Sequence, residues 1–206
     1  MHQLNSMLVG DSDLFSPVES SPLSWPFLTQ PMPLVAWSED QLKYMLIGNP
    51  VLWWTSALVC IFIHPHCVIK SLVVSRRSHD RVLLSCPNWA MHLLWNLWAI
   101  HYLPFFALSR VTYLHHYLPA LYFALILLAV YVHRGALALS IMLYPSAYPK
   151  QTRRTARYFM MTFVAVCILG HIFVYPLTFG TTAPCQYTRY LLIPMWRVCQ
   201  PEYTFH

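Results

Sequence analysis

The densest polar constellation in the chain runs from His101 to Tyr122 and reads HYLPFFALSRVTYLHHYLPALY. Arg110, Thr112, Tyr113, His115, His116 and Tyr117 fall inside it, at the mouth of two apolar runs. An arginine at a membrane interface, with Tyr and His donors beside it, can bind a phosphate held at head-group depth. The guanidinium supplies a permanently charged fork, and Tyr hydroxyls add neutral hydrogen bonds. The same residue types also make an interfacial anchor, in which Arg snorkels and Tyr joins the aromatic belt. The residues by themselves leave both readings open. No acidic residue stands near Arg110 in sequence, so a transfer reaction that needs a carboxylate base must find it elsewhere.

Other polar groups carry less chemistry. His115 and His116 are adjacent and point different ways, His64-Pro65-His66 has the same difficulty, and neither has an evident third ligand. No metal is expected. His64-Pro65-His66 instead reads as a kinked or shortened helix end. His92 and Asn96 are four apart and share a helix face, with His101 further along the same run. At membrane depth such groups hydrogen-bond to other helices or line a substrate tunnel. The six cysteines show no CxxC spacing and no zinc pattern; Cys185 and Cys199 lie on the tail after the last apolar run and can pair there. There is no Asn-x-Ser/Thr acceptor, no Gly-rich phosphate loop and no nucleophile elbow.

The elements that must position these residues are membrane helices. Of 206 residues, 57% are apolar and 10% charged, with a mean hydropathy of +0.46. A soluble domain carries about 25% charged residues. Disorder is excluded for most of the chain, because low hydrophobicity and high net charge are both missing. The expected fold is all-α and integral to a membrane, with four transmembrane helices behind a polar N-terminal segment. Residues 1–49 are turn-rich and show no cleavable signal peptide. The spans are expected over about 51–74, 87–108, 118–133 and 158–179. The third is short for a crossing, and 136–144 reads as a helical extension or an interfacial segment.

Nine of the thirteen Lys and Arg residues lie between apolar runs, as Lys70, Arg76, Arg77 and Arg81, then Arg134, Lys150, Arg153, Arg154 and Arg157. Six of the seven acidic residues lie in the first forty positions or the last few. That distribution is the positive-inside signature, so the net charge of +6 reads as orientation rather than nucleic-acid binding. Four crossings put both termini and the Arg110 connection on the lumenal side.

Three stretches carry a family resemblance. They are Ser21-Pro22-Leu23-Ser24-Trp25-Pro26, then Tyr44-Met45-Leu46-Ile47-Gly48-Asn49-Pro50-Val51-Leu52-Trp53-Trp54, then His101 to Phe105 with Ser109 to Phe123. Together they resemble the C-terminal four-transmembrane region of the protein O-mannosyltransferases, over about residues 7 to 199. The resemblance implies an endoplasmic reticulum, multi-pass membrane setting. It also implies transfer of mannose from dolichyl phosphate mannose to Ser or Thr of secretory protein acceptors. The family's catalytic acidic pair and its lumenal MIR domains have no counterpart in these residues, so no catalytic residue is assigned and independent turnover is not expected. What carries over is a donor-side role. Arg110 and Tyr113 would hold the dolichyl phosphate, and His115, His116 and Tyr117 would shape the lumenal rim. Implied partners are membrane lipid, the donor, the acceptors and another mannosyltransferase in a hetero-oligomer; no bound cofactor is implied. The alternative is a non-catalytic membrane partner of a full-length transferase.

Overall fold

Asn49-Pro50 is built to start a helix. The Asn49 side chain accepts from the amides of Val51 (3.0 Å) and Leu52 (3.2 Å), and Pro50 occupies the first turn, where its missing N–H costs nothing. The computed structural model describes residues 19–34, 42, 44–77, 88–108, 111–144 and 149–182. Arg110, Cys86, Cys185 and Cys199 lie outside the described residues, and the Cys185–Cys199 pairing with them.

Helix α1, Pro50–Leu58, passes through a π-helical segment, Val59–Ile63, into α2, His64–Arg77. Pro65 cannot donate to the preceding turn, and its ring crowds the carbonyl four residues back. The wider π turn just before it takes up that misfit. His64-Pro65-His66 is therefore not a shortened helix end: the helical run continues to Arg77.

Helix α3, Trp89–Tyr102, is capped by Asn88, whose side chain accepts from the Met91 amide at 3.1 Å. It tightens into a 3-10 turn over Leu103–Ala107. The two together rise about 31 Å, roughly the thickness of the hydrocarbon layer. A second 3-10 turn, Leu114–Tyr117, leads into α4, Leu118–Leu143. The third span thus runs on through 136–143 as one helix. Helix α5, Pro149–Phe179, starts well before its apolar stretch. Three runs, Pro50–Val73, Leu114–Leu143 and Pro149–Phe179, are each long and apolar enough to cross a membrane. The fold is all-α, with one two-residue antiparallel ladder among the described residues, β1 (Met32–Pro33) with β2 (Met45–Leu46).

Helix α4 is central and packs against α1, α3 and α5. Its buried positions include small residues four apart, Ala120 with Ala124 and Ala136 with Ser140. Small side chains let membrane helices approach closely, where van der Waals packing rather than the hydrophobic effect holds them. Gly170 does the same for α5 against α1: a Cβ there would stand 2.7 Å from Val51 Cγ2.

Asn49 also reaches across to α5, donating from Nδ2 to the Cys167 carbonyl at 2.6 Å. One side chain both caps α1 and ties it to α5. Asn49→Ala is expected to cost about 2 kcal/mol, half from the cap and half from the cross-helix bond. Asn49→Asp keeps the cap acceptor, loses the donor and should recover only the first half. Detergent unfolding of the two variants checks this; equal losses would refute the double role.

Candidate functional site

Among the described residues, Thr112, Tyr113, His115, His116 and Tyr117 gather where α3 ends and α4 begins. They are held there by the N-terminal segment rather than by helix packing alone. Ser20 and Thr112 bond reciprocally: the Ser20 amide donates to the Thr112 carbonyl at 2.9 Å, and the Thr112 hydroxyl donates to the Ser20 carbonyl at 2.8 Å. Tyr102 at the end of α3 donates its hydroxyl to the Pro22 carbonyl at 2.9 Å. From α1, the Trp53 indole donates to the Trp25 carbonyl at 2.6 Å and the Trp54 indole to the Phe27 carbonyl at 2.7 Å. Residues 20–28 therefore lie across the ends of α1 and α3 and the start of the α4 turn.

Trp25 is the plug of this arrangement, 0% exposed. Its ring sits 5.2 Å from Phe105, 6.2 Å from His116, 6.3 Å from Tyr117 and 6.4 Å from Tyr102, centroid to centroid. Its indole N–H donates to the Ser20 hydroxyl at 2.9 Å, so the buried polar atom is satisfied. Leu28, next in the same turn, is buried with φ +50°, a left-handed conformation that costs a non-glycine residue about 1–2 kcal/mol. The surrounding bonds hold that strain in place.

Within the turn, the Tyr113 amide donates to His116 Nδ1 at 3.0 Å, and the His116 amide donates to the Tyr113 carbonyl at 3.0 Å. His116 Nδ1 also lies 3.1 Å from the Tyr113 carbonyl, so this ring nitrogen is held between the backbone N–H and C=O of Tyr113. The rings of Tyr113 and His115 stack at 5.6 Å and 10°, and those of His115 and His116 lie 4.3 Å apart. His115 is exposed, while Tyr113 and His116 are half-buried. These three rings form one continuous aromatic edge carrying a phenol and two imidazoles.

Tyr117 is placed differently. It is fully buried, its hydroxyl accepts from the Trp98 indole at 3.2 Å, and its ring packs 5.8 Å from Trp53 and 5.2 Å from Tyr102. It presents no surface and supports the turn from below. Arg110 itself lies outside the described residues.

The second polar group of the sequence, in the helices, also resolves. His64 is buried, its Nδ1 is 3.0 Å from the Tyr131 hydroxyl, and its ring stacks on Trp95 at 5.7 Å and meets His92 edge-on at 5.2 Å. Asn96, by contrast, is exposed and donates to the His92 carbonyl of its own helix at 2.9 Å. The cross-helix contact thus belongs to His64, Tyr131 and His92, with Asn96 outside it. Among the described residues, no three or more His, Cys, Asp or Glu side chains are grouped to hold a metal ion.

Residue chemistry alone missed Ser20 and Trp25, which position the turn. The available signal was a tryptophan flanked by Pro22 and Pro26 in a polar stretch, where neither a strand nor a helix period explains it.

Residues 1–196 match the family described as the C-terminal four TMM region of protein-O-mannosyltransferase. The dolichyl-phosphate-mannose–protein mannosyltransferase 3 of Saccharomyces cerevisiae is 30% identical, over 97% of this chain and 26% of that protein. The dolichyl-phosphate-mannose–protein mannosyltransferase 2 of Candida albicans is 29% identical over 99% of this chain and 27% of its own length. A solved structure of the S. cerevisiae protein O-mannosyltransferase Pmt1-Pmt2 complex bound to the sugar donor matches with a TM-score of 0.62. It is 27% identical and covers 90% of this chain and 25% of that one. The chain spans about a quarter of the length of these relatives.

Proposed function

Since the chain belongs to the protein O-mannosyltransferase family as its C-terminal four-transmembrane region, we propose that it forms the donor-lipid side of a mannosyl-transfer site. The site lies in the endoplasmic reticulum membrane, and the Arg110–His116 turn faces the phosphate of dolichyl phosphate mannose. The observation that carries this reading is the locked turn. A phenol and two imidazoles occupy one short connection pinned by Ser20, Trp25 and Tyr117, and Arg110 precedes it closely in the sequence. Preorganised donors are worth most where charge develops without reorganisation.

In the reaction, a Ser or Thr hydroxyl of a secretory protein attacks the anomeric carbon of mannose. The new C–O bond forms as the bond to the phosphate oxygen breaks, the hydroxyl proton passes to a carboxylate, and dolichyl phosphate leaves. Arg110 and Tyr113 stabilise the charge growing on that phosphate, with His115 and His116 along the rim and Tyr117 as a positioning residue. The carboxylate comes from outside the described residues, whose single acid is Glu19. A second transferase subunit is the expected partner, as in the solved complex of two such subunits.

The test is a chimera in which this chain replaces the matching quarter of the yeast transferase 3. Arg110→Ala is expected to lower turnover at least about tenfold, and Arg110→Lys to restore only part of it, because a point charge lacks the planar fork. Unchanged donor affinity and rate in Arg110→Ala would overturn the assignment. A wild-type chimera that folds and binds donor, yet leaves turnover dependent on a complete partner subunit, would favour the second reading, a non-catalytic membrane partner.

A further inference from the structure

Helix α5 is longer than a membrane crossing requires. Its apolar stretch, Tyr158 to Phe179, rises about 33 Å, which already matches the hydrocarbon thickness. Residues 149–157 add further helical turns at the end of α5 away from the Trp25 plug, alongside the last turns of α4. Lys150, Arg153, Arg154 and Arg157 are all exposed on those turns, and their spacing of three and four places them on one face. Ala156 occupies the buried face instead. Continuing outward along the helix, the basic face turns apolar, with Tyr158, Met161, Val164, Ile168 and Ile172 exposed. The change from charge to hydrocarbon falls between Arg157 and Tyr158.

Among the described residues no acidic side chain balances this stripe. Like charges three and four apart repel, and cations at a helix N-terminus oppose its dipole. The first turn of α5 carries no acidic residue. Glu19, the single acid among the described residues, adjoins Ser20 at the opposite end of the bundle. Among the described residues the partner of Arg154 is neutral: its Nε donates to the Tyr158 hydroxyl at 3.1 Å and its guanidinium lies 5.8 Å from that ring. Orientation by positive charge requires cations near a span, on any face. Alignment of four on the outward face, at the level where the helix leaves the hydrocarbon, requires more.

We infer that Lys150, Arg153, Arg154 and Arg157 form a binding site for anionic phospholipid head groups of the adjoining leaflet. Phosphate and carboxylate oxygens of a phosphatidylserine-type head group supply counter-charge, while its acyl chains lie along Tyr158, Met161 and Val164. Arg154, stacked beside Tyr158, stands at the boundary between the two.

The chain is placed in phosphatidylcholine nanodiscs and titrated with spin-labelled phosphatidylserine or spin-labelled phosphatidylcholine. The protein-associated fraction should favour phosphatidylserine at least about fivefold and weaken with salt. The variant K150Q/R153Q/R154Q/R157Q should bring the ratio to about one, whereas R153K/R154K/R157K should keep the preference. Neutralising Lys70, Arg76, Arg77 and Arg81 instead should leave most of it intact. A wild-type ratio of about one overturns the site, as does equal loss in the two neutralised variants, which would assign the effect to loop charge in general. Full displacement by glycerophosphoserine or inorganic phosphate would overturn it in favour of a soluble anion. Saturable binding of polyglutamate without lipid preference would overturn it in favour of an acidic protein partner.

Discussion

Replacing Trp25 with alanine is expected to destabilise the chain by about 3–5 kcal/mol, among the largest losses available to a single substitution. The residue is 0% exposed and touches aromatic rings from the end of α3, the Leu103–Ala107 turn and the turn before α4. Truncation leaves a cavity among them and removes the donor to the Ser20 hydroxyl. Trp25→Phe keeps most of the packing and loses the hydrogen bond, so it should cost about 1 kcal/mol. Unfolding in mixed micelles measures both, and protease cleavage within 20–28 should accelerate in the alanine variant. A loss below about 1 kcal/mol for Trp25→Ala would remove the plug from the account.

Gly48→Ala carries the second large effect. A Cβ on Gly48 would collide with the Cε3 and Cζ3 edge of the Trp53 ring. Trp53 is itself buried, and its indole bonds to the Trp25 carbonyl at 2.6 Å. The ring cannot swing away without breaking that bond, so the added methyl should cost about 3 kcal/mol from overpacking and a lost buried hydrogen bond. The cost is steric, since the clash arises from space and not from a left-handed backbone. A double variant isolates the cause: added to Trp53→Ala, Gly48→Ala should cost less than about 0.5 kcal/mol. Full additivity of the two losses would show that the glycine is needed for some other reason.

The helices were legible because apolar runs and basic loops report directly on a bilayer. Less legible was which face of the signature turn points inward. Residue chemistry groups His115, His116 and Tyr117 as one polar rim, yet Tyr117 is buried. Extending the helical spacing of α4 backwards would have separated them. Leu114, Tyr117, Leu121, Ala124 and Leu128 fall three or four apart and are all buried, while His115, Leu118 and Tyr122 fall between them and are exposed. Periodicity was a better guide there than side-chain polarity. The long-range partners of Ser20, Trp25 and Asn49 had no such local signal. Each residue depends on a partner far along the chain, as Asn49 does on the Cys167 carbonyl. Two helices outrun the expected spans, α4 as the helical extension that 136–144 allowed. Helix continues wherever backbone bonds can be made, so α4 reaches Leu143 and α5 begins at Pro149, outside the apolar windows that marked them.

The reciprocal bonds between Ser20 and Thr112 join residues 92 positions apart. During synthesis Ser20 emerges first and must wait, unpartnered, until α1, α2 and α3 have entered the bilayer and Thr112 has been delivered to the same side. Contacts of such long sequence separation form late, after shorter loops have closed. The N-terminal segment therefore acts as a latch on the assembly order, which engages only a chain whose spans before Thr112 have inserted in the correct direction. A mis-oriented third span would leave Thr112 across the membrane from Ser20, with the Trp25 ring exposed as a mark of the failed assembly.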